Sequence, residues 1–420
     1  MRNLQPFAIT ILAVAVWWLF VPAVRGQEIG EQVELIRLIR QVIATHPSAE
    51  AARAEVEAAS VDLGGSRRAR WPGISVESST DRQGRDGTTT ALAIEQPLWT
   101  GGRISASIRQ AEGSYEAALA SLDEVYLDLA LRTAEAYVEL QALRRRIEIL
   151  DESVLEHQKL VDSMRRRVEQ EVSPASELML AQSRMRQMEI EVLEARARAE
   201  MTLVRLRELA GADDVTVTAP LEYQRDLQSL DVRALLDRAL SFDPQRRRVE
   251  AEADVAAAEV ALRKSTLFPE IGARYLHYVG ERDLDDELGL VMRFQSGGGF
   301  SNFTAVGAAR RREEAARRAV DSAVRDQRER IMTELAAYTS AVRQAEAGFE
   351  AAAAAAEVTE SFQRQFAAGR RTWPEVLNAV REAVTARLTQ VDAESRAASA
   401  YIRLMLISGT WPLTQGEVTR

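Results

Sequence analysis

The chain has 420 residues, 46% hydrophobic and 28% charged, with a formal net charge of −9. It contains no cysteine, which removes disulfides, thiolate zinc sites, iron–sulfur clusters and thiol catalysis together. The histidines, His46, His157 and His277, are far apart in no metal-ligand spacing, and the acidic balance disfavours nucleic acid as a partner. No convergent acid, base or nucleophile stands out, so no enzyme, cofactor or metal site is expected. Abundant Ala, Arg, Glu and Leu, with aromatics at 6%, points to long helices.

At the N-terminus, Arg2 precedes an apolar run from Ala8 to Val21. The run is short of the ~20 residues a membrane span needs. Val24 and Gly26 then form a small-residue cleavage pattern before Gln27, so residues 1–26 read as a secretory signal peptide. An uncleaved anchor is the alternative. No cysteine follows the run to accept a lipid.

The remainder is duplicated. Pro47 in Thr45-His-Pro and Pro244 in Phe242-Asp-Pro are 197 residues apart, as are Pro72 and Pro269, and Gly101-Gly102 and Gly298-Gly299. Ser173-Pro174 and Trp373-Pro374 follow at an offset of 200. Three landmarks at one offset argue for an internal repeat. The boundaries expected are 27–220 and 221–420, each reading helix, strand pair (72–100 or 269–297), Gly-Gly, long helix, proline break and helix.

The long helices carry heptads. Tyr115, Leu122, Leu129, Ala136, Leu143, Leu150, His157 and Met164 form one seven-residue series. Leu119, Tyr126, Thr133, Leu140, Ile147, Val154, Val161 and Val168 form a second. Only Thr133 and His157 interrupt this coiled-coil seam, and His157 reads as a packed core residue, not a ligand. The second half repeats the step through Val324, Ile331, Tyr338, Ala345, Ala352, Thr359 and Phe366. An unbroken helix from Ile104 to Gln170 would extend ~100 Å, a length suited to spanning a distance. Pro174 and Pro374 are expected in the first turns of the return helices, with Ser173 and Thr372 as caps. Two helical hairpins result, with tips near Glu171–Ser176 and Gly369–Glu375.

Between the helices, Ile74–Thr80 and Thr88–Leu98 flank a polar loop, and Ile271–Val279 and Glu287–Phe294 flank another. Their length suits strands of a membrane barrel, with Trp71, Trp99, Phe268 and Phe294 or Phe300 near the strand ends as an interfacial girdle. Two small soluble hairpins are the alternative. Four strands cannot close in lipid, so a membrane barrel would need several chains. The glycines after each pair read as a tight change of direction, not as a phosphate loop.

Gln96-Pro-Leu-Trp-Thr-Gly-Gly-Arg103 and Gly369-Arg-Arg-Thr-Trp-Pro-Glu-Val-Leu-Asn-Ala379, set in tandem halves, resemble the TolC-type outer-membrane channel family over about Glu34 to Trp411. The resemblance implies a mostly α fold with a small β part. Three chains would share one twelve-stranded transmembrane β-barrel, continued by coiled-coil helices as an α-barrel through the periplasm. The hairpin tips, including Ser173, Pro174, Gly369, Arg370 and Thr372, would dock a periplasmic adaptor attached to an inner-membrane ABC or proton-driven pump. Glu375 and Asn378 match the entrance constriction, where Asn378 departs from the family's acidic pattern. Arg371 matches the arginine of an entrance latch, with Ser176 and Glu177 as its partners, while Phe366 replaces a tyrosine hydroxyl. Within the family, Gly369 to Glu382 looks most like ducts for type I secretion of large adhesins and other proteins. Drug or metal efflux is the alternative within the family; outside it, the alternative is a secreted periplasmic coiled-coil scaffold or adaptor.

Overall fold

The structure, a computed structural model, describes residues 25–80, 88–217, 223, 231–279, 285–295, 297–411 and 413. The apolar run read from sequence as part of a signal peptide and the loops 81–87 and 280–284 lie outside the described residues, as does the side chain of Phe300. The two proline landmarks each open a helix: α2 (Pro47–Arg68) is capped by His46 and α6 (Pro244–Ser265) by Asp243. His46 accepts from the Ser48 N–H through Nδ1, and Asp243 accepts from the Gln245 and Arg246 N–H groups. Burial nevertheless pushes the Asp243 carboxyl up from its ordinary value. Before them run α1 (Arg25–Thr45), which crosses the expected cleavage point at Gly26, and α5 (Val232–Phe242).

Each of α2 and α6 leads into a strand pair, β1 (Gly73–Thr80) with β2 (Thr88–Trp99) and β3 (Glu270–Val279) with β4 (Glu287–Arg293). The two pairs join into one antiparallel sheet, ordered β1-β2-β3-β4. Its register sorts the side chains into two unlike faces. Ile74, Val76, Leu92, Ile94, Ile271, Tyr275, Leu288, Leu290 and Met292 share one face. Glu77, Ala91, Ala93, Glu95, Gly272, Arg274, Val291 and Arg293 share the other. On the second face Arg274 reaches across β2 to Glu77 at 2.6 Å and Arg293 pairs with Glu95, while Ala91 and Ala93 are buried. On the first, Ile74, Leu288, Leu290 and Met292 are each at least 70% exposed. Trp71, Trp99, Phe268 and Phe294 are exposed at the helix-proximal strand ends, with Trp99 edge-on to Phe268 at 6.1 Å.

The backbone leaves each strand pair through glycines with positive φ, +56° and +89° at Gly101 and Gly102 and +60° at Gly299. It enters α3 (Arg103–Glu169) and α7 (Ser301–Ala367), 67 residues each, or ~100 Å at 1.5 Å per residue. The return helices are α4 (Ala175–Ala210) and α8 (Trp373–Ile407). Every residue of the three heptad series is buried or half-buried. Thr133 and His157 satisfy themselves on that seam by bonding backbone carbonyls, Leu129 O at 2.7 Å and Ser153 O at 2.8 Å. Thr359 donates both to Ala355 O and, across the hairpin, to Ala379 O at 3.0 Å. Near the sheet α3 packs on α2 and α6, and α6 on α7; nearer the tips, α4 packs on α3, α3 on α8 and α8 on α7. The largest apolar cluster gathers α1 and the ends of α4 and α8 on the middle of α3.

Candidate functional site: the helical hairpin tips

The first tip turns at Glu171, the one non-glycine residue with positive φ among the described residues. Val172 N–H donates to Arg167 O at 2.9 Å, and the Arg167 Nε donates to the Ser173 hydroxyl at 3.2 Å. Ser173 is therefore a partner of the outgoing helix and not the cap expected from sequence. The extended residue before α4 is Pro174, one position earlier than the first-turn placement expected. Ser176 is exposed and Glu177 half-buried in the first turn of α4.

The second tip closes on Gly369 at φ +74°, with Gly369 N–H donating to Phe366 O and Arg370 N–H to Gln365 O. Thr372 is the cap of α8, and Pro374 sits where its missing N–H costs nothing. The Glu375 carboxylate folds back to accept from the Thr372 N–H at 2.8 Å, the Thr372 hydroxyl at 2.7 Å and the Arg371 guanidinium at 2.6 Å. These three donors hold the Glu375 carboxyl down at about 2, the Thr372 N–H contributing most. Arg371 also donates to Gln365 Oε1 at 3.2 Å and lies 4.1 Å over the Phe362 ring. Asn378 is exposed one turn beyond Glu375 on the same face of α8, and Arg370 and Gly369 are exposed at the turn.

The structure thus brings Arg371 and Glu375 together and does not bring Arg371 to Ser176 or Glu177. Arg371 lies in the turn just before the Thr372 cap, and from there its guanidinium reaches Glu375 in the first turn of α8. Sequence reasoning missed Phe362, Gln365 and Arg167, which support this turn. Arg167 lies 4.9 Å over Phe366, whose ring packs at 5.2 Å on the buried Trp373. Phe362 and Gln365, nine and six positions before Arg371, were the local signal, whereas Arg167 comes from the other hairpin and is joined to this turn only by the fold. Among the described residues no group of His, Asp and Glu is placed to hold a metal ion, and no helix is long and apolar enough to cross a membrane.

The model of a family described as outer membrane efflux protein matches residues 38–212 and 235–410. The chain belongs to this family. It is a family of efflux proteins and not a class of enzymes. No curated protein sequence is matched. Among solved structures, the fold resembles a membrane protein from Pseudomonas aeruginosa at 18% identity and a TM-score of 0.80, over 90% of this chain and 92% of that one. The outer membrane protein VceC from Vibrio cholerae is 18% identical with a TM-score of 0.79, over 91% and 98%. The open state of the MtrE outer membrane channel from Neisseria gonorrhoeae is 17% identical with a TM-score of 0.74, over 90% and 89%. At these identities the likeness establishes the shared fold: a mostly helical outer-membrane efflux fold with a small four-stranded sheet.

Proposed function

We propose that three copies of this chain form the outer-membrane exit duct of a tripartite export system. The observation that carries the reading is the sheet: one largely apolar face, with the His277–Asp286 pair toward its loop end, one face carrying the Arg–Glu pairs, and two outer strands, β1 and β4, each with a single neighbour. Such a sheet in lipid must be closed by strands of other copies. Three copies supply twelve strands, with the apolar face toward lipid and the Arg–Glu face toward the lumen. Residues 1–26 act as the export signal, and the repeats 27–220 and 221–420 each contribute a strand pair and a helical hairpin. The ~100 Å helices continue the barrel as a tunnel through the periplasm.

The tips form the entrance. Glu375 and Asn378 ring its constriction, and Ser176 and Glu177 of a neighbouring hairpin compete with Glu375 for Arg371 in the latch. Ser173, Pro174, Gly369, Arg370 and Thr372 offer the docking rim for a periplasmic adaptor. The duct does no chemistry; an inner-membrane ABC or proton-driven pump supplies the energy. For cargo we favour a secreted protein such as a large adhesin, a reading that rests on the tip segment Gly369–Glu382. The second reading is efflux of drugs or metals; the family description supports efflux and names no cargo.

Deletion of the gene separates the two. Loss of one large secreted protein with unchanged drug and metal tolerance is expected. Increased sensitivity with an unchanged secretome would replace secretion by efflux. A soluble monomer that never conducts in planar bilayers would overturn the duct in favour of a periplasmic scaffold.

A further inference from the structure

The helix ends nearest the sheet carry a surplus of cations. In residues 62–70, 103–112, 259–270 and 301–312, basic side chains outnumber acidic ones ten to four, in a chain whose formal net charge is −9. Some are matched: Arg67 pairs with Glu112 at 3.1 Å, Arg263 with Glu259 at 2.6 Å and Arg311 with Glu314 at 2.9 Å. Arg68, Arg70, Lys264, Arg310 and Arg312 are exposed and have no carboxylate within ion-pair distance among the described residues. Helix dipoles do not account for the set. A helix C-terminus favours cations, which covers the last turns of α2 and α6. The N-terminal end of α7 offers no such pull, yet three successive arginines precede its first acid, Glu313. What these helix ends share is the sheet beside them.

The cations also lie close beneath the exposed aromatics at the strand ends. Arg68 and Arg70 stand within three residues of Trp71, and Lys264 stands four before Phe268. Asn302 Nδ2 donates to Thr266 O at 3.3 Å and to Gln295 O at 3.0 Å, which sets the start of α7 level with the end of α6. Arg310 and Arg312 follow ~12–15 Å along α7. Their side chains lean toward the helix N-terminus, here toward the sheet. Val306 and Ala309 are buried, so residues 310–312, at steps of about 100°, fan over the open side of α7. Lys264 and Arg310 line one groove of about 590 Å³ between α6 and α7. The acids of that groove are already taken, Glu313 by Arg317, Glu314 by Arg311 and Asp321 by Arg318.

We propose that these cations form a collar for anionic phospholipid headgroups in the periplasm-facing leaflet, with Lys264 and Arg310 holding one headgroup phosphate in the groove of each copy. The polar layer of a bilayer extends ~5–8 Å beyond its hydrocarbon, so long cationic side chains just below an aromatic girdle reach its phosphates. A guanidinium fork suits a phosphodiester, and a headgroup without its own amine leaves that phosphate uncompensated. The net negative charge of the chain repels such lipids, so any preference for them is local to the collar. The proposal rests on the membrane reading of the sheet and adds a ligand to it.

The test mixes the full-length trimer, purified in non-ionic detergent, with equal amounts of phosphatidylglycerol and phosphatidylcholine, and counts retained lipid by native mass spectrometry. Phosphatidylglycerol should be retained about tenfold over phosphatidylcholine at low salt, and about 1 M salt should remove most of that preference. Lys264→Gln/Arg310→Gln/Arg312→Gln should also remove most of it, while Lys264→Arg/Arg310→Lys/Arg312→Lys keeps it. Lys159→Gln/Arg186→Gln/Arg381→Gln takes the same charge from exposed positions toward the tips and should keep the preference. Every variant should retain its heat-resistant trimer in lipid-free detergent. Loss of the trimer in the first variant would mean that its cations pair with carboxylates of a neighbouring copy, which overturns the collar. Equal retention of both lipids by the unsubstituted trimer, or an unchanged preference in the first variant, would overturn it too and leave the duct standing. An equal loss in the variant toward the tips would replace the collar by net charge. A chain that is monomeric before any substitution would overturn both collar and duct.

Discussion

Arg371 Nη1 lies 2.6 Å from Glu375 Oε1, so the carboxylate placed at the proposed constriction is paired within its own chain. The same guanidinium bonds Gln365 and covers Phe362, which ties the end of α7 to the start of α8. Replacing Arg371 with Ser removes all three contacts and frees the turn. Single-channel conductance in a planar bilayer is expected to rise by about twofold or more as the tips loosen. Arg371→Lys should restore closure only in part, since an ammonium lacks the planar fork that holds Glu375 and Gln365 together. Unchanged conductance in Arg371→Ser would remove Arg371 from the latch.

The acid response of this turn has a definite sign. Thr372 and Arg371 hold the Glu375 carboxyl at about 2, below its ordinary 4.5. The ionised carboxylate therefore stabilises the turn fully above the ordinary value, and the contribution is lost as pH falls from there toward the depressed one. Conductance should be flat from about pH 7 to about pH 5 and rise only below about pH 4. Glu375→Gln should abolish that acid step. A midpoint near about pH 6 would instead mean that three carboxylates facing one another across the axis outweigh these bonds.

Glu375 and Arg371 should act oppositely on selectivity. Glu375→Ala leaves Arg371 without its carboxylate and is expected to lower the cation-to-anion permeability ratio and weaken block by multivalent cations. Arg371→Ser unmasks the carboxylate and should raise both. Reversal potentials in a salt gradient read the difference. Equal shifts in one direction would show that the pair lies off the conduction path.

The long helices, the proline-opened helices and the glycine turns were legible because each depends on local spacing, which a sequence displays directly. Every member of the Tyr115, Leu119 and Val324 series is buried or half-buried. The four-stranded sheet was only half legible. Alternation in Ile271–Val279 is mild, and the pairing of Ile94 with Tyr275 joins residues far apart in the chain. Only the register shows that Glu77, Glu95, Arg274 and Arg293 share a face. At the tips, the resemblance directed Arg371 toward the other hairpin, whereas four-residue spacing alone would have paired it with Glu375. The Ser173 side chain was misread because capping preferences ignore a nearby arginine such as Arg167.

A close helix crossing near the sheet provides a stability test. A Cβ built on Gly113 of α3 would lie 2.8 Å from Val255 Cγ2, 3.2 Å from Val255 N and 3.3 Å from Ala251 O of α6. Two of these are backbone atoms, so α6 must move as a body. Gly113→Ala is expected to destabilise by about 1–3 kcal/mol, as overpacking does. Gly307 of α7 is exposed, with nothing within 4 Å of its Cβ position. Gly307→Ala should stabilise by about 0.5–1 kcal/mol, the helix-propensity gain. Thermal or denaturant midpoints should move in opposite directions, and equal shifts would contradict the packing of α3 on α6.

The two faces of the sheet make the most direct test of the membrane reading. Leu290 and Val291 are neighbours on β4, but the register places Leu290 with the exposed apolar residues and Val291 with Arg274 and Arg293. If the apolar face meets lipid, Leu290→Arg introduces a charge into hydrocarbon at a cost of about 2–4 kcal/mol per chain near mid-depth. Three copies carry that penalty together, enough to prevent most of the trimer from assembling. Val291→Arg adds a charge to a face that already holds paired charges and open lumen, so assembly should be close to normal with altered ion selectivity. The amounts of heat-resistant trimer in outer-membrane fractions compare the two variants directly. Equal assembly of both would mean that lipid does not cover the Leu290 face, and the barrel would have to be abandoned even though the helical fold stands.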